Sequence, residues 1–437
     1  AAWTGKDLMH SSRRFALLNT PQPSGTIQFA TKPQTVWSTS KHSTDSKVSS
    51  QKPLDRGWAR YRGLYLHGDR TILHWKIADA SVLEMPGIIE KNEQTLFTRD
   101  LEIGPGKELI KLSIGEPPQA PIVARIPQGK LHSLIVQDGK GGVSHAMLSD
   151  SKAVSYTLGK TMSVQIPPRK QAIRLRLIHT KGKALAPNDW HQLIKDSKLI
   201  ELQKLTKGGP KRWPTPLTTK GKTSVSNHGL FAVDTLTIPY ENPHKALFYC
   251  SGVDFLKNGN IAMCTAHGDV WVVSGVDDQL QKLTWKRFAT GMYQPLGLKV
   301  VDDVIYVLER GQITRLHDLN KDGEADYYEC FNNDWYVLGE EHGFTTCLER
   351  DSKGNFYFFK TGSHSAPTGG CVLRVSKDGS KMDVYSTGFR HPNGMGVGLD
   401  DMISGAGQEG NWIPKTRVDA YVKGGFYGDM RAHHRKK

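Results

Sequence analysis

The sequence predicts an all-β protein in two parts, a basic, β-sandwich-like N-terminal domain and a partial, incomplete β-propeller. Three observations predict this. From Trp58 onward, short runs such as RYRGLYLH, RTILHWKI, LFTRDLEI and AIRLRLIH alternate polar and apolar residues, the period of a half-buried strand. After Tyr240, four segments repeat the order glycine, apolar strand, turn, second strand. Their leading glycines, 252, 297, 343 and 394, are 45 to 51 residues apart, which is the length of a propeller blade. Turn formers punctuate both halves (HGD, GPGK, DGKGG, KNGN).

Taken in order, residues 1–57 are rich in Ser, Thr, Lys and Gln and read as the loop-rich start of a truncated β domain. Residues 58–205 carry the alternating strands and one helix. That helix is expected over Asn188–Leu205 (NDWHQLIKDSKLIELQKL), where Trp190, Leu193, Ile194 and Ile200 keep helical spacing and Asn188 or Asp189 would cap the start. Residues 206–239 read as a linker from their Gly, Pro, Lys and Thr content. Residues 240–437 hold about three and a half blades, with hairpin turns at Asn258-Gly259, Asp302-Asp303 and Lys353-Gly354. Each blade alone would expose an apolar face, so blades must stack on one another. The opening AAWTGKDL, the end GGFYGDMRAHHRKK and the unclosed ring lead to the expectation of a fragment of a longer chain.

The formal charge of +15 is uneven: residues 1–240 hold 35 Lys and Arg against 18 Asp and Glu, and the rest 23 against 25. The basic residues are scattered and form no nucleic-acid module, so nucleic acid is not an expected partner. A solvated basic surface is the plain reading, and an acidic glycan or a membrane surface the sharper one. No apolar run is long enough to cross a bilayer. The five cysteines (250, 264, 330, 347, 371) include no C-x-x-C and no C-x-x-C-H, so no haem site is encoded; buried thiols are the first expectation, with one or two disulfides the alternative if the protein is exported. No P-loop, dinucleotide fingerprint or nucleophile elbow occurs.

Asp318–Glu329 (DLNKDGEADYYE) fits the calcium-loop template D-x-[DN]-x-[DN]-G-x5-E. Strand-like sequences flank it, which excludes an EF-hand. Asp318, Asn320, Asp322, Asp326 and Glu329 could still wrap a hard cation, with Gly323 supplying the sharp bend. The competing reading is a polar turn closed by its own side chains. The tripeptides His67-Gly68-Asp69 and His267-Gly268-Asp269 suggest tight turns before they suggest acid–base pairs. Trp271, Trp285 and Trp335 read as blade packing before sugar platforms.

Thr387–Gly428, with its G-x-R-x-P-x-G core, its Q-E-G run and the closing GGFYG, resembles soluble quinoprotein glucose dehydrogenases of the glucose/sorbosone dehydrogenase family. GEEHGFTTCLERDSKGNFYF resembles the blade that carries that family's catalytic histidine. The resemblance implies pyrroloquinoline quinone (PQQ) and calcium as cofactors and a sugar or polysaccharide substrate. It implies that His342 takes the hydroxyl proton and that Arg390 pairs with the cofactor's oxygens. It also implies that backbone carbonyls near Gly410 and Asn411 ligate calcium. His391 follows Arg390 where the family often has Asn. Over Trp58–Leu83 and Tyr240–Gly428 the chain also resembles large exported planctomycete and verrucomicrobial proteins. These join a β-rich domain to a dehydrogenase-like propeller, often followed by a c-type haem domain. That implies a periplasmic or secreted location and electron transfer to a haem domain. The function so expected is a quinoprotein-type sugar or alcohol oxidoreductase. The alternative is a non-catalytic propeller that binds polysaccharide or protein.

Overall fold

The computed structural model describes residues 36–42 and 56–434, except 116, 128, 140–141, 160, 184, 225–229, 338–341, 363–367, 410–414 and 433. It also gives the backbone of two-residue strands β1 (Trp3–Thr4) and β2 (Gln22–Pro23). The chain is nearly all β, and its contacts gather it into two compact units whose main division falls between Pro210 and Lys211.

The N-terminal unit uses β3 (Trp37–Thr39), β4 (Ala59–His67), β5 (Arg70–Ile77), β6 (Ala80–Lys91), β7 (Gln94–Ile103) and β8 (Ile110–Gly115). It continues with β9 (Pro121–Ala124), β10 (His132–Asp138), β11 (Val143–Ser149), β12 (Ser155–Thr157), β13 (Met162–Ile166) and β14 (Ile173–Lys181). The large sheet runs β4-β5-β6-β7-β14-β11-β10-β9, and a smaller one runs β12-β13-β8-β3. Between them Ile110, Leu112 and Val164 meet Val82, Leu101, Leu175 and Leu177, all at most 1% exposed. Each such side chain contributes about 1.5–3 kcal/mol. Successive strand residues face opposite ways, so Ile178, next to Leu177, joins a second core on the far face of the large sheet. There it meets Trp190, Leu193 and Ile194 of helix α1 (Pro187–Asp196). The alternating pattern thus builds a sandwich with a helix on its outer face.

The helix corrects the expected Asn188–Leu205 span. It starts one position earlier, with Ala186 as N-cap and Pro187 in the first turn, so neither Asn188 nor Asp189 caps it. It stops at Asp196, where Ser197 turns extended and its hydroxyl donates to the Leu193 carbonyl at 2.7 Å. The chain must extend here because Leu202, in a short 3-10 turn (Leu202–Thr206), fills a separate core with Ile72, Leu83 and Met85. Tertiary burial overrides helical spacing.

His145 and His179 face each other across β11 and β14, each 1% exposed, with their Nδ1 atoms 2.7 Å apart. One nitrogen donates and the other accepts, so the accepting ring is neutral. Burial lowers His145 to about 4. Burial, then His145 and Arg99, push His179 well below its ordinary value.

The second unit contains four antiparallel sheets in chain order. The first has β16 (Cys250–Phe255), β17 (Ile261–Thr265), β18 (Val270–Ser274) and β19 (Leu283–Ala289). The second has β20 (Gly297–Val301), β21 (Val304–Leu308), β22 (Ile313–His317) and β23 (Tyr327–Asn332). The third has β24 (Thr345–Arg350), β25 (Phe356–Lys360), β26 (Cys371–Val375) and β27 (Met382–Thr387), and the fourth β28 (Asn393–Val397), β29 (Ile403–Ala406) and β30 (Val418–Tyr421). The segment read as a linker is not all linker. Leu217–Thr219 forms strand β15, which pairs with Leu283–Trp285 as the outermost strand of the first blade. The indole N–H of Trp285 donates to Thr219 Oγ1 at 2.9 Å.

The blades stack through their innermost strands. A Cβ on Gly252 would lie 2.8 Å from the Leu298 nitrogen, and one on Gly297 2.8 Å from the Leu348 nitrogen. These glycines therefore let neighbouring inner strands touch backbone to backbone. The Cys347 N–H donates to the Leu296 carbonyl at 3.0 Å, and the Ser251 hydroxyl to that of Pro295 at 2.7 Å. Turn aspartates repeat another link: Asp303 accepts the Lys257 N–H at 2.8 Å and Asp401 the Ser352 N–H at 2.7 Å. Between the second and third blades, Tyr306, Leu308 and Phe331 meet Leu348, Phe356 and Phe358 around a buried Trp335. Among the described residues none of these sheets closes on itself.

Candidate functional site

Each crossing from one blade to the next is held by the loop between the second and third strands of the blade it enters. In the second blade, Glu309 accepts the Tyr293 N–H at 2.6 Å and Arg310 donates to Gln294 Oε1 at 2.8 Å. In the third, the ammonium of Lys360, fully buried, donates to the Gly343 carbonyl at 2.7 Å. Thr361 bonds the His342 carbonyl and accepts the Phe344 N–H at 2.9 Å. In the fourth, Arg390 donates through Nη1 to the Glu409 carbonyl at 2.7 Å, and the Gln408 N–H returns to the Arg390 carbonyl at 2.9 Å. Three successive blades thus deliver their crossings to the same end by the same device.

That device brings the crossing that carries His342 to the one that carries Arg390. The His342 ring lies 4.6 Å, centroid to centroid, from that of His391, with 34° between the planes. His391 holds φ at +43°, a left-handed conformation uncommon outside glycine and concentrated at functional sites. Next to it a pocket of about 250 Å³ is lined by Arg390, Gln408, Lys415, Arg417, Asp419 and Tyr427, among others. Gly410 and Asn411 lie outside the described residues. Lys415 and Arg417 were not singled out by sequence, although K-T-R closely follows the Q-E-G run; nor was the strand-end Lys360.

The calcium-template residues divide. Asp318 accepts the N–H groups of Asp322 and Gly323 at 3.0 and 2.8 Å, Asn320 that of Asp322 at 3.2 Å, and Asp322 that of Glu324 at 3.0 Å. Asp326 accepts the Leu319 N–H at 2.8 Å. Glu329 stands on β23 and pairs across the ladder with Arg315 at 2.7 Å and His317 at 2.8 Å. Burial pulls its carboxyl upward, but bonds and charge from His317 and Arg315 prevail and hold it at about 2. Among the described residues, no group of three or more His, Cys, Asp or Glu side chains converges on a metal position. The loop has a visible packing role: Glu324 accepts the Arg212 and Trp213 N–H groups at 2.7 and 2.8 Å, pinning the chain ahead of the first blade.

Both HGD tripeptides sit in strand-connecting turns, with Gly68 at φ +62° and Gly268 at +103°. Asp269 is buried against Arg287 at 2.5 Å. Trp271, Trp285 and Trp335 are at most 2% exposed, so none presents a ring to a ligand. The five cysteines form no disulfide, and burial pushes Cys264 and Cys371 up to about 12. Among the described residues no helix is long and apolar enough to cross a membrane.

Residues 1–84 match a family described as Domain of unknown function (DUF6797). No curated protein matches the chain. Similar solved structures include an oxidoreductase (glucose dehydrogenase) from Thermus thermophilus, at 18% identity and a TM-score of 0.33 over 42% of this chain and 65% of that one. The PQQ-bound aldose sugar dehydrogenase of Streptomyces coelicolor matches at 16% identity and a TM-score of 0.31, over 42% and 63%. A 6-phosphogluconolactonase from Bacteroides uniformis matches at 10% and 0.27, over 84% and 96%. The chain spans just under two thirds of the length of each of the two dehydrogenases.

Proposed function

We propose that the second unit is the propeller of a quinoprotein-type oxidoreductase that acts on a sugar or alcohol hydroxyl. The observation that carries this reading is the meeting of His342 and the Arg390–His391 segment, delivered by neighbouring blades to one end. An imidazole is the side chain best matched to taking a hydroxyl proton near neutral pH. The His391 ring packs beside it, tilted by 34°. The Arg390 fork keeps N–H donors beyond the one spent on Glu409, and planar oxygens suit that geometry.

The donor set fits a quinone: Arg390 would hold its oxygens and His342 would take the substrate's hydroxyl proton, and PQQ when bound would supply a two-electron acceptor. Among the described residues no three His, Cys, Asp or Glu side chains converge to hold calcium. The periplasmic or secreted location, and electron passage to a c-type haem domain, belong to this proposal and draw on the sequence resemblance alone.

The test is reconstitution with PQQ and calcium, read by quinone absorbance and by dye reduction with a panel of sugars. Sugar-dependent dye reduction is expected, and His342→Asn should lower it by about 100-fold or more while the absorbance of the bound quinone persists. An unchanged spectrum and no dye reduction with any sugar would favour a non-catalytic binding propeller instead.

A further inference from the structure

We propose that the pocket beside Arg390 is a subsite for an acidic sugar, a uronate, whose carboxylate is read by Lys415 and Arg417. The pocket encloses about 250 Å³, the share of about eight water molecules and the scale of one sugar ring. Its wall mixes three chemistries. Lys415 and Arg417 are cations, Asp419 is an acceptor for hydroxyl protons, and Tyr427 adds an aromatic surface, while Asp429 is already paired with Arg431 at 3.1 Å. Tyr427 is braced by stacking on Phe389, 4.9 Å away at 16°, and its hydroxyl donates to the Ala420 carbonyl at 2.7 Å.

The cations are not equivalent. Arg390 is a clamp, tied in both directions to the 408–409 backbone. Arg417 spends one nitrogen on the Tyr427 carbonyl at 2.7 Å, and 3.3 Å separates it from Asp419, yet its side chain is 61% exposed and keeps further N–H donors. Lys415 makes no hydrogen bond or ion pair among the described residues. A neutral hexose would leave the Lys415 ammonium and the spare Arg417 donors without an anionic partner. A bare anion would meet the Asp419 carboxylate with nothing to donate. A uronate answers both, with hydroxyl donors on one side and a carboxylate for a charge-assisted contact on the other. The charge of the chain points the same way. Residues 1–240 carry an excess of 17 positive charges and the remainder an excess of two negative ones. The net charge of +15 attracts polyanions to the chain, and an acidic polysaccharide supplies uronate units.

The assignment rests on the oxidoreductase reading for the fate of the sugar, not for its binding. The experiment therefore measures binding on the full chain without cofactor, by calorimetric titration at low salt with D-glucuronate, D-glucose and D-glucose 6-sulfate. Glucuronate is expected to bind about tenfold or more tightly than either competitor, the scale of one charge-assisted hydrogen bond. Lys415→Met and Arg417→Gln should each remove about that factor and leave glucose unchanged. Lys415→Met breaks no contact in the fold, so loss of binding there is not misfolding. Equal affinity for glucose and glucuronate, tighter binding of the sulfate ester, or an unaffected Lys415→Met would overturn the proposal. Glucuronate binding as expected, without oxidation of any sugar after reconstitution, would sink the oxidoreductase reading and leave this one standing.

Discussion

Acidification from pH 7 to pH 4 is expected to cost the N-terminal unit about 3 kcal/mol through His145 alone. His145 is neutral in the fold down to about 4, whereas its ordinary value is 6.5. Below pH 6.5 the unfolded chain therefore takes up a proton that the folded chain refuses. Stability present at pH 7 declines as the pH falls toward 4 and levels off below it. His179 acts in the same direction, since burial first, then His145 and Arg99, hold it neutral as well. Urea midpoints at pH 7, 5.5 and 4 measure the effect. In the double variant His145→Gln, His179→Gln the decline should be shallower by at least that amount, since an amide pair carries no proton to titrate. Equal slopes for the two proteins would contradict the account. Should the variant not fold, imidazole nitrogen shifts of the unaltered protein at pH 5 decide instead: both rings must be neutral there.

Trp335→Ala is expected to destabilise the second unit by about 3–5 kcal/mol. The indole is 1% exposed and its ring centroid lies 4.8 Å from that of Phe358. It belongs to one core with residues of both the second and third blades. Its N–H donates to the Arg310 carbonyl at 3.1 Å, so truncation also leaves that buried carbonyl short of a donor. The loss should loosen the crossing that carries His342, which starts a few residues further on. Hydrogen exchange measured alongside urea unfolding should show faster exchange in β24 and β25. A cost below about 1 kcal/mol would mean that the two blades do not share a core.

The blades were legible because their signal is local and repeated. A strand, a two- or three-residue turn with residues such as Asn258-Gly259 or Asp302-Asp303, and a second strand recur within one blade length. Asp302 and Asp303 hold φ at +50° and +61°, the left-handed pair that a tight hairpin requires. The leading glycines were legible as markers but not as a mechanism. Gly252 and Gly297 turn out to be where inner strands touch, whereas Gly394, at φ +70°, has open space around it. Strand β15 was hidden because three residues in a Lys- and Pro-rich stretch acquire strand character only from a partner over sixty residues away. The helix end was hidden because Ile200 and Leu202 keep the apolar rhythm after the helix has ended, where they pack with Ile72, Leu83 and Met85 instead. Of the candidate site, His342 and Arg390 carried a motif, but their meeting did not. Thr361 and Lys360 hold one crossing and Glu409 the other, and no sequence spacing encodes those contacts. The partners of Glu329 were hidden for the same reason, since a template counts positions and cannot show that Arg315 and His317 stand across the ladder.

The claim on which the functional reading stands is that two neighbouring blades bring His342 against the segment that follows Arg390. A paired substitution, His342→Cys with His391→Cys, tests it most directly, because the rings stand 4.6 Å apart and a disulfide forms only between closely approached side chains. Mild oxidation followed by peptide mapping should recover a peptide cross-linked between positions 342 and 391 in high yield. Recovery of both positions as free thiols, under conditions that oxidise an exposed cysteine pair elsewhere, would show that the crossings do not meet.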